Sequence, residues 1–207
     1  MRSYLKYLRN RRASDDRGAA IVEFAIAIPL FIALLLVVFD AGLGYSASRT
    51  SSSAARSAAR VGALAGDARN TDFRILDTLR SDYGNALADG DGLARIIVFR
   101  SDPTNANGAP PAGCGEQSIE NVCNSYDAAI LGSLASETFA SVTLPDGSVT
   151  CTPSAPDAAW CPLNRRSDAG AFLGVYISSV HDTTTGIDSR VFNLEDRAVF
   201  ALYFEPL

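Results

Sequence analysis

The stretch that decides the fold is Arg17-Gly18-Ala19-Ala20-Ile21-Val22-Glu23-Phe24-Ala25-Ile26-Ala27-Ile28-Pro29-Leu30-Phe31-Ile32-Ala33-Leu34-Leu35-Leu36-Val37-Val38-Phe39. Residues 19–39 hold 21 positions and one charge. As a helix they extend about 31 Å, enough to cross a bilayer core. From residue 24 to residue 39 the run is apolar on every side, which does not suit the one-sided stripe of a soluble helix. A permanent anchor and a secretory signal cut near Ser46-Ala47-Ser48 are the other uses of such a run. Small residues continue at helical spacing well past residue 48, so nothing marks a new amino terminus there.

Glu23 is the residue that needs a purpose, because a carboxylate inside an apolar segment costs on the order of 1–3 kcal/mol, depending on depth. A cut between Gly18 and Ala19 supplies one. The new α-amino group would lie four residues before Glu23, one helical turn away. Both groups are charged at neutral pH. In hydrocarbon each lowers the other's cost, within one chain or between neighbours packed with an axial offset. The plainer reading is an interfacial glutamate tolerated near the membrane surface.

Charge along the chain gives this segment a direction. Residues 1–17 carry six basic groups (Arg2, Lys6, Arg9, Arg11, Arg12, Arg17) against Asp15 and Asp16, a net of +4. From Asp40 onward twelve arginines face twenty acids, a net of −8. A basic head, an apolar bar and an acidic body fit the positive-inside rule, with the head cytoplasmic and the body exported. The acidic body argues against nucleic acid as a partner. All four cysteines (Cys114, Cys123, Cys151, Cys161) follow the bar, and an even number in an exported region reads as two disulfides. Three pairings exist, and the short spacings favour Cys114–Cys123 and Cys151–Cys161. A metal site would call for closer pairs and a nearby histidine, and the chain's single histidine, His181, is remote in sequence.

The stretch from Arg17 to Ala25 resembles the processing motif of prepilins, in which a glycine precedes the cut and glutamate is the fifth mature residue. Phe24 after that glutamate is similar to the tight-adherence (Flp) branch of type IVb pilins. The run from Arg11-Arg12 through Pro29-Leu30, together with Ser53-Ala54-Ala55-Arg56-Ser57-Ala58-Ala59-Arg60-Val61-Gly62-Ala63, closely resembles the TadE-like family of pilus-assembly pseudopilins. The closing Arg197-Ala198-Val199 and Phe204-Glu205-Pro206 are similar to that family's carboxyl end. The likeness is specific over roughly the first third of the chain and weak between residues 70 and 190. One departure is the Asp15-Asp16 pair beside Arg17, where a purely basic lead is more typical.

The resemblance implies a minor pilin or pseudopilin of a bacterial tight-adherence system that takes part in pilus assembly and adhesion. A membrane prepilin peptidase would cut between Gly18 and Ala19. The implied partners are that peptidase, the major pilin and other minor pilins, an inner-membrane assembly platform and the lipid bilayer. No cofactor and no metal are expected, and the role would be positional, not enzymatic. The rival reading is a permanently anchored periplasmic binding module that keeps its head. The expected divisions are a leader at 1–18, a membrane helix at 19–39, its periplasmic continuation at 40–69 and a body at 70–207.

Within the continuation Ala54, Ala58, Gly62 and Gly66 recur every four residues, with Ala55, Ala59 and Ala63 beside them. Such a stripe lets another backbone approach closely. In this water-exposed portion the expected use is packing on the protein's own sheet, since propensity alone rarely holds an exposed helix. Gly42 and Gly44 weaken the helix and suggest a hinge. Residues 72–87 place Phe73, Leu76, Leu79, Tyr83 and Leu87 at helical spacing. Strands are expected at 93–100, 139–144, 148–152, 172–181 and 196–204, with Pro145-Asp146-Gly147 as a hairpin turn. Residues 101–126 and 153–170 read as polar loops stapled by the cysteines. A long helix followed by an antiparallel sheet with stapled loops is a pilin-like α+β arrangement.

Catalytic signals are thin. His181-Asp182 is the only acid–base pair with a histidine, and no nucleophile elbow accompanies it. Asp146-Gly147-Ser148-Val149-Thr150 spells D-x-S-x-T, similar to a metal-site motif of von Willebrand A domains, but it coincides with the turn.

Overall fold

A computed structural model describes residues 2–83, 93–101, 108–168, 172–181 and 192–201. The chain divides into two compact units, Met1–Leu43 and Gly44–Leu207. Helix α1 (Arg2–Ala65) includes Pro29, whose missing N–H removes one helical hydrogen bond. Gly42 and Gly44 both lie within it.

The second unit begins with the last turns of α1. The helix ends at Ala65, earlier than the expected residue 69, because Gly66 takes φ 55° and its N–H donates to Gly62 O at 3.0 Å. That is a left-handed cap, cheap for glycine and costly for other residues. Gly66 therefore closes the helix, and it is buried there. Helix α2 (Thr71–Tyr83) follows, and turns Ile75, Leu76 and Leu79 inward together with Asp72. Phe73 and Tyr83 are only partly buried, and Leu87 lies outside the described residues.

Among the described residues six strands follow: β1 (Leu93–Ser101), β2 (Cys123–Asp127), β3 (Ser141–Thr143), β4 (Val149–Cys151), β5 (Phe172–His181) and β6 (Phe192–Ala201). Four make an antiparallel sheet in the order β2-β1-β5-β6, and β3 and β4 form a separate hairpin. β6 starts at Phe192 where sequence placed it at 196, because its pairing runs the whole length of β5, from His181↔Phe192 to Phe172↔Ala201. β2 is a correction. Residues 123–127 read as the tail of a polar loop, and they are instead an edge strand paired with Arg95–Phe99 of β1. Short 3-10 helices occupy Ala128–Ser133, Ser136–Thr138 and Pro162–Asp168.

Both faces of the sheet are covered. On one, Ile96, Val98, Leu173, Val175 and Ile177 pack with α2 and with Ala54, Ala55, Ala58 and Ala59 of α1. On the other, Ile97 and Phe99 pack with the Cys114–Cys123 bridge and Ile119. Burial on both sides explains the unbroken apolar run Ile96-Ile97-Val98-Phe99. Gly174 is opposite Phe99 in the register, and a Cβ there would clash with the far end of the Phe99 ring. The Pro145-Asp146-Gly147 turn forms as expected. Gly147 takes φ 85° and donates to Leu144 O at 2.9 Å, while Leu144 N–H donates to Ser148 O at 2.8 Å.

Candidate functional site

Every residue from 18 to 35 is exposed, including the large apolar side chains Ile21, Phe24, Leu30 and Phe31. Apolar surface on this scale is not tolerated in water, where burial is worth about 25 cal/mol per Å². The segment is long and apolar enough to cross a membrane by length and composition. Glu23 and Phe24 sit on this exposed part of α1. A Cβ added at Gly18 meets nothing within 4 Å. The fold itself therefore gives no reason for glycine before Ala19.

The small-residue stripe further along α1 behaves differently. Ala54, Ala55, Ala58, Ala59 and Ala63 are buried against the sheet and α2, while Arg56 and Arg60 are exposed. At Gly62 an added Cβ would stand 2.5 Å from Ile75 Cδ1 and 3.1 Å from Leu173 Cδ2. The stripe thus sets how closely the helix lies on its own domain. That face is closed to any second molecule.

The bridges are Cys114–Cys123 and Cys151–Cys161, and no described cysteine is free. The second bridge frames a group that sequence reading missed. Residues 153–170 read as a polar loop, yet Asp157, Trp160 and Arg165 are each 1% exposed or less. Arg165 Nη1 lies 2.7 Å from Asp72 Oδ1, with both side chains fully buried. Its Nη2 donates to Trp160 O at 2.9 Å, and its guanidinium stacks 4.0 Å over the Trp160 ring. Asn124 joins from β2 by donating to Asp72 Oδ2 and Trp160 O and accepting from Trp160 N–H. Tyr126 donates its hydroxyl to Asp72 Oδ2 at 2.7 Å. Burial, then the adjoining Asp72 carboxylate, hold that hydroxyl well above the usual phenol range. The knot fastens the second stapled loop to α2 and β2 at once. The one sequence signal for it was a tryptophan in an otherwise polar loop, since so large an apolar side chain needs cover.

The remaining motifs resolve as structure. Asp146 Oδ1 accepts from Ser148 N–H at 2.9 Å and from Ser148 Oγ at 2.6 Å, so D-x-S-x-T is a self-satisfied turn. Those bonds lower the Asp146 carboxyl below its ordinary value. His181 ends β5, and Asp182 lies outside the described residues. Among the described residues no three His, Cys, Asp or Glu side chains cluster as a metal site would need.

Residues 18–60 match the family model of the TadE-like proteins. This is the family that the sequence resembles, and the match spans the exposed apolar segment and much of the small-residue stripe. No curated protein and no solved structure matches the chain.

Proposed function

We propose that the protein is a minor pilin or pseudopilin of a tight-adherence pilus system, held in the inner membrane by residues 19–39 with its cysteine-bearing body on the periplasmic side. A prepilin peptidase removes residues 1–18, and the new Ala19 amine pairs with Glu23. The mature helix then joins or primes a filament alongside the major pilin and other minor pilins at the assembly platform, and the exported body contributes to adhesion. The role is positional, with no reaction of its own.

One observation carries this reading. Gly18 has no steric purpose within the fold, yet it stands directly before the exposed apolar stretch of α1, residues 19–35, whose one charged residue is Glu23. A residue that its own fold does not need is explained by what acts on it from outside, here a peptidase that requires a small residue at the cut. The TadE-like match over residues 18–60 supports the same reading.

The test is the mature amino terminus of protein from purified membranes and from sheared surface material, sequenced side by side. The expected result is Ala19 in both fractions that contain the protein. Met1 or Arg2 as the membrane terminus would instead make the chain a permanently anchored binding module.

A further inference from the structure

Residues 152–165 lie over a buried group of charges that does not balance. Asp157 is 1% exposed, and apart from a contact with its own backbone N–H its carboxylate oxygens have no hydrogen-bond partner. The charged and titratable groups facing it are Asp72 from α2, Tyr126 from β2 and Arg165 from the 3-10 helix Pro162–Asp168. Arg165 is already engaged by Asp72, by Trp160 O and by the indole face. Tyr126 already donates its proton to Asp72. Two carboxyls thus share one cation. An ionised Asp157 would be a surplus buried anion with no side-chain donor, and a group in that position relieves the cost by keeping its proton.

We infer that Asp157 docks as the neutral acid, making residues 152–165 a proton-dependent latch whose hold on α2 and β2 weakens as the surroundings pass from acidic to neutral. The latch lies wholly within the second unit and does not depend on the chain entering a filament. Its direction follows from linkage. A solvated aspartate ionises near ~4, whereas burial, then the Asp72 charge, push Asp157 up to about 7. Between those values the open segment has lost its proton and the docked segment keeps it. Opening therefore becomes about tenfold more favourable per pH unit across that window and levels off above it.

The test uses the full chain in lipid nanodiscs, disulfides intact, between about pH 4.5 and 9. Trp160 is the chain's one tryptophan, so its emission reports on the latch alone. Amide exchange over residues 152–165, divided by the intrinsic rate at each pH, reports opening. The wild type should show opening that rises about tenfold per unit up to a plateau, with Trp160 emission titrating around pH 7. Asp157→Asn, neutral at every pH and nearly the same shape, should flatten both profiles. His181→Gln, which removes the single histidine, should leave the wild-type profiles in place. A flat wild-type profile overturns the inference without any variant. A titration that survives Asp157→Asn, or vanishes with His181→Gln, overturns it as well.

Discussion

Residues 18–35 and the sheet of the second unit use the same apolar residue types in opposite ways. In the sheet, Ile96, Val98, Leu173 and Ile177 have no exposed surface, and each contacts other side chains of the chain. In the first unit, Ile21, Phe24 and Leu30 are each more than 60% exposed. Particular glycines show the contrast too, although Gly115 and Gly132 of the second unit also stand in open space. Gly62 and Gly174 are required because Ile75 and the Phe99 ring occupy the space that a Cβ would need, whereas Gly18 and Gly42 stand in open space. The difference separates apolar residues that the chain's own fold covers from apolar residues that it leaves uncovered. It is a physical sorting that needs no homologues, and it yields substitutions that should behave in contrasting ways.

The largest effect should come from the buried knot. Asp72→Ala leaves Arg165 charged and buried without its ion-pair partner, a change that typically costs about 3–5 kcal/mol. Thermal unfolding of the full chain should register it as the strongest destabilisation of the set. Next comes the second bridge. Replacing Cys151 and Cys161 together by serine removes a cross-link across ten positions, and should cost about 2–4 kcal/mol. Loss of Trp160 protection in amide exchange should accompany it. A smaller cost, about 1–3 kcal/mol, is expected for Gly62→Ala, which overpacks α1 against Ile75 and Leu173. Equal melting of Gly62→Ala and Gly18→Ala would break the comparison, because the two sites would then answer to the same constraint.

Much of this division was legible in the sequence, and the misses share one cause. The strands at 93–101 and 172–181 declared themselves because β-branched and aromatic residues dominate them. The hairpin turn declared itself through Pro145-Asp146-Gly147. β2 did not, because Cys-Asn-Ser-Tyr-Asp carries little apolar periodicity and owes its strand geometry to pairing with β1. Asn124 and Asp157 look like loop residues in sequence, and Arg165 looks like a solvated charge. They are buried only because α2, β2 and the second stapled loop converge from distant parts of the chain. Local pattern can report burial of an apolar face, but it cannot report that Asp72, Asn124, Tyr126 and Arg165 will come together. The apolar segment was readable for the opposite reason, since its environment is written in its own composition.

The smallest effect on stability should come from Gly18→Ala and Glu23→Ala, and here the smallness is informative. Both positions are exposed, and surface substitutions of this kind usually stay within about 0.5 kcal/mol. The melting temperature in nanodiscs should therefore match wild type for both. Their consequences should appear in processing and assembly instead. Gly18→Ala should slow removal of residues 1–18, read from the amino terminus of membrane protein. Glu23→Ala should leave the body folded and inserted while lowering the amount recovered in sheared pili. Normal pilus yield from Glu23→Ala would remove the pairing with Ala19 and return Glu23 to a tolerated interfacial carboxylate. A drop in melting temperature would place Glu23 within the folding constraints after all, and the sorting by environment would then have to be redrawn at the membrane end of α1.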